Sequence, residues 1–213
     1  MTNHQLVPAI ARRFSQGLAY LSIAAIAAMS GSVFAAEPEA SVPAGKYSLD
    51  KGHGYITFSY SHLGFSNPHV GFNDFDVDLQ FDPEKPAASQ LEVVIQAASI
   101  SSRVEVFDGH LRGGDYFDTD KHPTIGFTST KVAMTSETTA DVYGDLTIKG
   151  VSKPVILNAV LNKAGTHPIA KKPTLGLSAT TTVKRSDWGI DKYTPLVGDE
   201  VTIEIEVELP QAL

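Results

Sequence analysis

The sequence predicts an all-β protein, an extended antiparallel β-barrel of about eight strands with a short helical insert. Apolar and polar residues alternate with period two along most of the chain, which is typical of strands that bury one face. Several of these segments run for about nine or ten residues, longer than the usual ~5–6. Glycines inside them permit the bending that closes a sheet: Gly71, Gly126, Gly144 and Gly176. A β-sandwich is the alternative architecture, and strand length and glycine placement favour the barrel.

The first 35 residues are typical of a secretory signal peptide. Arg12-Arg13 precede an uncharged, mostly apolar stretch over residues 17–29, and small residues follow at Val33 and Ala35. The apolar stretch is too short to predict a membrane span, and an uncleaved membrane anchor is the alternative interpretation. We expect export of the chain and cleavage after Ala35.

The chain that remains after cleavage is expected to be an acidic domain of 178 residues. The removed segment holds two arginines and no acid, so the formal net charge changes from −7 to −9. An acidic domain without a basic cluster argues against nucleic acid and against anionic membrane surfaces as partners. Cysteine is absent, which excludes disulfides and thiolate sites. We predict a flexible leader over residues 36–45, a single domain over residues 46–210 and no membrane span after cleavage.

Four strands are predicted before the insert, at residues 46–50, 55–62, 72–81 and 91–97. In the second of them Ile56, Phe58 and Tyr60 share one face, and serine and threonine alternate with them. In the third, aspartates alternate with apolar residues in the same way. A turn that contains two prolines separates the third strand from the fourth.

The period-two pattern stops over residues 107–118, where we predict a short helical insert. Phe107 and Leu111 are four residues apart, so one helical turn would place both on the same side. Gly113-Gly114 are expected to end the helix, because glycine tolerates the left-handed backbone that a helix exit often needs. We expect the insert to close one end of the barrel.

After the insert, strands are predicted at residues 125–130, 142–148, 155–161, 175–185 and 201–209. Lys149-Gly150 is predicted to form a hairpin turn, and residues 162–173 are predicted to form a loop. The last strand is the clearest, since Val201, Ile203 and Ile205 alternate with threonine and glutamate.

Each enzymatic hypothesis lacks the residues that it needs. No Gly-x-Ser-x-Gly motif marks a nucleophile, and the six histidines after residue 35 form no His-x-His or His-x-x-x-His pair for zinc. Two acidic clusters alternate with apolar residues, which is typical of solvated strand faces: Asp74, Asp76, Asp78, Glu204, Glu206 and Glu208. We therefore expect a protein that is not an enzyme and has no catalytic cofactor or metal; a hydrolase of unknown type is the remaining enzymatic alternative.

The apolar strand faces can line either a slot for an apolar ligand or a filled core. Each CH₂ group of a slender isoprenoid or acyl chain that leaves water contributes about 0.8 kcal/mol. Periodicity cannot distinguish a cavity from a core, so a filled-core barrel that acts as a regulatory or protein-interaction module is the alternative. The candidate lipid-binding residues are Phe58, Tyr60, His62, Phe75, Val77, Leu79, Phe107, Leu111, Phe127, Leu146, Ile148, Leu175, Leu177, Ile203 and Ile205.

Two polar residues are candidates for contact with the head group of a lipid. His62 shares the face of Phe58 and Tyr60, so it is either a hydrogen-bonded core histidine or a polar group at the mouth of a cavity. Arg185 follows the long strand and could bind a phosphate or carbonyl group. Its alternative is a structural role, either as a partner of Asp187 or at a corner of the barrel.

Several motifs, in order along the chain, resemble the YceI-like family of exported bacterial lipid-binding proteins. They include His110-Leu111-Arg112 with Asp115-Tyr116-Phe117-Asp118, Pro123-Thr124-Ile125, Gly144-Asp145-Leu146-Thr147, Arg185-Ser186-Asp187-Trp188 and Val197-Gly198-Asp199-Glu200. The resemblance runs from Tyr47 to Leu209. It implies a lipocalin-like barrel that holds a polyisoprenoid lipid, either an isoprenoid quinone or a polyprenyl phosphate, in its lumen. It also implies a periplasmic location, a homodimer, a role in transport or storage, and no catalytic residues.

Overall fold

The structure, a computed structural model, describes residues 42–212 of the 213-residue chain. The predicted signal peptide and most of the predicted leader lie outside these residues and stay predictions. Among residues 42–212, no helix is both long enough and apolar enough to cross a membrane.

Eleven strands, one α-helix and three 3₁₀ turns make up the described part of the chain. The strands are β1 (Gly45–Ser48), β2 (Gly54–His62), β3 (His69–Phe72), β4 (Phe75–Phe81), β5 (Gln90–Gln96), β6 (Ile100–Ser101), β7 (Thr124–Met134), β8 (Thr139–Ile148), β9 (Val151–Thr166), β10 (Pro173–Lys184) and β11 (Val197–Pro210). The helix α1 spans Glu105–Arg112, and the 3₁₀ turns span Pro86–Ala88, Ala97–Ser99 and Arg185–Trp188. Eight of the strands have seven residues or more, which agrees with the predicted number; the other three have four or fewer.

All strands form one antiparallel sheet in the order β1-β4-β5-β7-β8-β9-β10-β11-β2-β3-β6. The sheet curls until β1 lies beside the end of β11. There Tyr47 forms a bridge with Gln211, and the backbone N–H of Ala212 donates to the carbonyl of Lys46 over 2.8 Å. The predicted fold class, an antiparallel all-β barrel with a helical insert, is confirmed.

The prediction of one strand over residues 72–81 is wrong, because β3 ends at Phe72 and β4 begins at Phe75. Phe72 and Phe75 are three residues apart, yet both are buried. One regular strand cannot turn both inward, since it alternates its faces with period two. The chain leaves the sheet beside β2 and rejoins it beside β1, and the Asn73 N–H donates to the Ser99 carbonyl at the corner.

The loop predicted over residues 162–173 is also shorter than expected. β9 continues to Thr166 and β10 begins at Pro173, so only residues 167–172 lie outside strands. The asparagine, lysine and glycine residues of this stretch are typical of a loop, but pairing with β10 holds their backbone extended as far as Thr166. A register shift between Gly176 and Leu177 accommodates the long pair.

The predicted insert is the helix α1, which begins two residues earlier than expected. Leu111 is buried and Phe107 is half-buried, and both turn toward the interior as their spacing predicts. Gly113 ends the helix, but not in the left-handed conformation that we expected. Its φ is −73° and its ψ is 171°, and its N–H donates to the His110 carbonyl over 3.0 Å.

We predict that Gly144→Ala lowers the free energy of unfolding by about 1–3 kcal/mol, the usual cost of overpacking. A Cβ atom on Gly144 would lie 2.6 Å from the Thr128 carbonyl oxygen and 2.6 Å from Cε2 of Phe127. The backbone oxygen belongs to the paired strand β7 and cannot move aside easily. Urea denaturation would measure the difference.

Gly126→Ala is the matched control, because the nearest atom to its added Cβ is the Val93 carbonyl oxygen at 4.0 Å. This variant should be as stable as the wild type or slightly more stable. Equal stability of the two alanine variants would contradict the close-approach explanation.

Candidate ligand-binding interior

Three cavities follow one another along the axis of the barrel. The helix-end cavity has about 470 Å³ and lies between Tyr60, Leu111 and Tyr193. The central cavity has about 110 Å³ and lies between Phe127 and Leu146. The hairpin-end cavity has about 420 Å³ and lies beside the turn between β7 and β8, and its lining includes Val77, Leu79, Leu161, Leu175 and Leu177.

Neighbouring cavities share lining residues, so the three lie end to end, and we refer to them together as the tract. Phe58 and Val201 line both the helix-end and the central cavity, and Ile56 and Ile205 line both the central and the hairpin-end cavity. The inward side chains of β11 show the same order in a single strand: Val201, Ile203, Ile205, Val207 and Leu209 pass through all three cavities in turn. The interior of the described residues therefore contains three cavities and is not completely filled.

Fourteen of the fifteen predicted lipid-binding residues line this tract, although whether they bind lipid stays a prediction. The helix-end cavity is lined by Phe58, Tyr60, His62, Phe107 and Leu111. The central cavity is lined by Phe58, Phe127, Leu146, Ile148, Ile203 and Ile205. The hairpin-end cavity is lined by Val77, Leu79, Leu175, Leu177 and Ile205.

Phe75 is the one candidate that lines none of the three cavities. Its side chain is buried, but its ring reaches the start of β2, where a Cβ on Gly54 would lie 3.0 Å from Cζ of Phe75. Because Phe75 is the first residue of β4, it packs at the corner where the chain changes strands rather than in the lumen.

Sequence reasoning missed many lining residues, and two groups of them show why. The inward face of β9 lines the tract with Val155, Leu157, Ala159 and Leu161. Their alternation was visible in the sequence and would have identified them as lining candidates. Phe117, which follows the helix, could not be found this way. Its ring lies 5.7 Å from Phe72 and 6.3 Å from Phe58, so it joins an aromatic cluster across the interior.

His62 lies at the mouth of the helix-end cavity, where its side chain is exposed. The alternative interpretation as a core histidine is therefore wrong. The chain turns back immediately after it, since the His62 N–H donates to the Ser66 carbonyl over 2.8 Å.

Arg185 has a structural role in this fold. Its guanidinium donates four hydrogen bonds to backbone carbonyls: to Gly198 over 2.8 Å, Ile190 over 2.7 Å, Lys192 over 3.0 Å and Val197 over 2.9 Å. A guanidinium has five N–H donors, so these bonds leave one for a ligand. Arg185 thus holds the segment 190–198, which forms one wall of the helix-end cavity.

Neighbouring contacts hold the same segment in place. Ser186 donates to the Asp199 carboxylate through its backbone N–H over 2.9 Å and its hydroxyl over 2.8 Å. Burial raises the pKa of Asp199, but these hydrogen bonds outweigh burial and leave the pKa lowered. The Lys149 ammonium donates to the carbonyl of Gly114 over 3.1 Å, and Lys192 is paired with Asp115. The loop that contains Gly114 and Asp115 is therefore linked both to Lys149 and to the segment 190–198.

A buried carboxylate in α1, that of Asp108, holds the residues that precede the helix. Asp108 accepts hydrogen bonds from the hydroxyl of Ser102 and from its backbone N–H, the latter over 2.6 Å. These bonds, first of all the one from the hydroxyl, lower the pKa of Asp108. They fix residues 102–104, and Ser102 and Val104 line the helix-end cavity.

The two ends of the tract differ in their polar groups. The helix-end cavity is lined by the tyrosines Tyr60 and Tyr116, by the two histidines His62 and His69, and by Arg185. Burial raises the pKa of Tyr60, so its hydroxyl remains a hydrogen-bond donor over a wide range of pH. The hairpin-end cavity is lined by one carboxylate residue, Glu137, and by the hydroxyl residues Ser89, Thr138, Thr139 and Ser178. The tract can therefore hold a long apolar molecule, with guanidinium, imidazole and phenol groups at its helix end.

Comparison with known proteins gives a consistent result. A model of the YceI-like domain matches residues 47–209. A UPF0312 protein of Pseudomonas putida strain W619 is 36% identical over 167 residues, which cover 78% of this chain and 86% of that protein.

Two solved structures resemble the fold over most of its length. A YceI protein of Campylobacter jejuni has 30% identity and a TM-score of 0.65, and the match covers 72% of this chain and 90% of that one. A polyisoprenoid binding domain of Saccharophagus degradans has 17% identity and a TM-score of 0.59, and the match covers 78% of this chain and 98% of that one. At 17% identity, this second likeness shows the fold alone.

We predict that Arg185→Lys lowers the free energy of unfolding by about 2 kcal/mol or more, because one ammonium cannot replace a planar group that serves four carbonyls. Amide hydrogen exchange over residues 190–198 should also accelerate. Arg103→Lys, at an exposed position, is the control and should change stability by less than about 0.5 kcal/mol. Equal denaturation midpoints for the two variants would refute the structural role of Arg185.

We also predict a pH-dependent contribution from Asp108. Its pKa is lower in the folded protein than in an unfolded chain, so its ionised form contributes stability above the ordinary aspartate pKa of ~3.9. That contribution is lost as the pH falls below this value toward the lowered pKa. Asp108→Asn should therefore lose less stability than the wild type between about pH 5 and pH 3 in urea titrations, whereas Asp120→Asn, at an exposed position, should follow the wild type. Parallel curves for wild type and Asp108→Asn would contradict the assignment.

Proposed function

This chain belongs to the YceI-like family, and we propose that it is a binding protein that holds the chain of a polyisoprenoid lipid inside its barrel. The row of three mainly apolar cavities along the barrel is the observation that carries the proposal. Its two larger cavities, of about 420 and 470 Å³, each fall within the range of ~300–1,000 Å³ typical of ligand pockets. A related fold in Saccharophagus degradans is described as a polyisoprenoid binding domain, which supports the same ligand class.

The shape of the tract favours a long, thin ligand. A compact ligand would occupy one of the larger cavities, whereas a flexible chain can pass through the narrow central cavity and use all three. Each CH₂ group transferred from water into such a lining contributes about 0.8 kcal/mol. A chain of several isoprene units would therefore bind tightly with very few polar contacts.

The polar groups of the helix-end cavity favour a neutral head group. Tyr60 and Tyr116 each carry a hydroxyl that can donate a hydrogen bond, and Arg185 has one N–H beyond its four backbone bonds. Such donors suit the carbonyl oxygens of an isoprenoid quinone. A polyprenyl phosphate remains the second choice, because a buried phosphate requires fuller charge compensation than one engaged guanidinium provides.

In this proposal the protein works in the periplasm and does no chemistry on its lipid. The predicted signal peptide over residues 1–35 would export it, and the lipid would be carried or stored across an aqueous compartment. No catalytic cofactor is involved. A homodimer, which the family resemblance implies, is part of the proposal and has no role in ligand binding here.

We predict that organic extraction of protein purified without detergent releases a long-chain isoprenoid that mass spectrometry identifies. Ala179→Phe should reduce the amount of bound lipid several-fold, because the new ring would occupy the hairpin-end cavity that Ala179 lines. The protein should still fold, since the cavity accepts the added volume.

Thr180→Phe is the matched control, because Thr180 is the next residue of the same strand and is exposed on the outer face. Its lipid content should equal that of the wild type. Protein that carries no lipid, or two phenylalanine variants with equal lipid content, would overturn the proposed function.

A further inference from the structure

The mouth of the helix-end cavity is surrounded by exposed apolar side chains. Three segments that are not strands contribute them: the turn after β2, the residues that lead into α1 together with its first turn, and the segment before β11. We call this surface the apolar rim, and it consists of Leu63, Phe65, Val104, Val106, Tyr193 and Leu196. Phe65 is 89% exposed, Val106 is 73% exposed and Leu196 is 70% exposed, well beyond what large apolar side chains usually show.

The three segments form one continuous surface. The Leu63 N–H donates to the Leu196 carbonyl over 3.2 Å, which joins the first segment to the third. Val104 and Tyr193 line the helix-end cavity together with Pro68, which joins the second segment to both others at the mouth. The apolar rim therefore borders the opening of a cavity that is itself apolar.

The backbone of the apolar rim is held in a costly conformation. Leu63 has a φ of 56° and Tyr193 a φ of 65°, and large non-glycine side chains rarely occupy this left-handed region. The Val197 N–H donates to the Tyr193 carbonyl over 2.8 Å, and the Arg185 hydrogen bonds hold the residues on either side. These exposed apolar side chains are thus presented by a fixed backbone.

The charge distribution indicates what this surface contacts. The segments 62–69, 102–107 and 193–197 contain one arginine and one glutamate, Arg103 and Glu105, so their formal charges cancel. All but one of the 24 acidic residues of the chain lie outside these segments. An acidic protein can approach a bilayer, whose surface is often anionic, only through a region from which its acids are absent.

We infer that the apolar rim docks on the surface of a lipid bilayer, so that the helix-end cavity exchanges its ligand directly with the membrane. This inference rests on the proposed function, because it gives a lipid-binding interior its source of lipid. Apolar and aromatic side chains at loop tips enter the boundary between head groups and acyl chains. A lipid chain that slides from there into the cavity passes mainly apolar surface and is less exposed to water than a chain that crosses free solvent.

A second copy of this chain is the other occupant that an exposed apolar surface could accept. The rim is narrow, since six side chains from three short segments surround an opening. The opening would be blocked if two copies met through it. A bilayer both covers the rim and supplies the ligand, so the geometry favours the bilayer.

The test compares how three proteins float with phosphatidylcholine vesicles. Each protein is expressed from the full 213-residue chain and purified from the soluble cell fraction. We expect the wild type to float with the vesicles. The fraction of the double variant Phe65→Asp/Leu196→Asp that floats should be at least tenfold smaller. Ile169→Asp is the matched control, because Ile169 is 86% exposed but lies in the loop between β9 and β10. It should float like the wild type.

A second measurement separates this inference from the proposed function. An isoprenoid quinone delivered from dilute detergent should load the wild type and the double variant equally, whereas quinone delivered from vesicles should load the double variant at least tenfold more slowly. Failure of the detergent delivery for both proteins would count against the proposed function, and the flotation result would still decide the inference.

Three results would overturn membrane docking. They are a wild type that remains in the unfloated fraction, a double variant that floats as well as the wild type, and an Ile169→Asp variant that loses binding to the same extent as the double variant. A wild-type dimer that Phe65→Asp/Leu196→Asp converts to a monomer in analytical ultracentrifugation, without vesicle binding, would assign the apolar rim to a second copy instead.

Discussion

Closure of the long antiparallel sheet is the constraint on which the rest of the structure depends. Tyr47 is fully buried, forms a bridge with Gln211 after β11 and pairs with Leu79 of β4. Its hydroxyl donates to the Pro43 carbonyl over 2.6 Å, which satisfies the polar atom of a buried aromatic ring. Because the first strand meets the end of the last in this way, the inward faces of the strands enclose a lumen instead of lying open on a curved sheet.

The long strands could be predicted from alternation because each repeats its two faces often enough to be recognised. Of the short strands only β1 was predicted, as residues 46–50, whereas β3 and β6 were not, since strands of two to four residues carry too little of the period to be recognised and form through pairing with neighbours. The break between Phe72 and Phe75 was visible as a change of phase, two buried residues three apart, but only tertiary contacts show where the chain goes next. The far end of β9 follows the same rule, because its partner strand overrides a composition typical of loops.

The residues that line the cavities could be predicted about as well as the strands. Inward-facing residues could be named from parity alone, and nearly all of them line the tract. Whether their side chains meet or leave space depends on the curvature of the sheet and on pairs such as Ala159 opposite Ala179, where two small residues face the same cavity. The role of Arg185 was beyond sequence reasoning, because its four acceptors are backbone carbonyls that the folded loop brings together. Any residue type could supply those carbonyls.

Arg185 also connects the rigidity of the fold to its capacity to bind a flexible molecule. A long isoprenoid chain loses much conformational freedom on binding, so a site that had to order its own loops would bind it more weakly. The segment 190–198 is already ordered by the guanidinium, and the loops at residues 113–118 and 185–193 are linked through Lys149 and the ion pair of Lys192 with Asp115. The mouth is thus fixed before a ligand arrives, and the free energy of burying each CH₂ group remains available for affinity. The same contacts keep the apolar rim exposed to water, because they prevent its backbone from moving toward the interior. One set of contacts therefore explains both the stability of this end and the exposure of its apolar side chains.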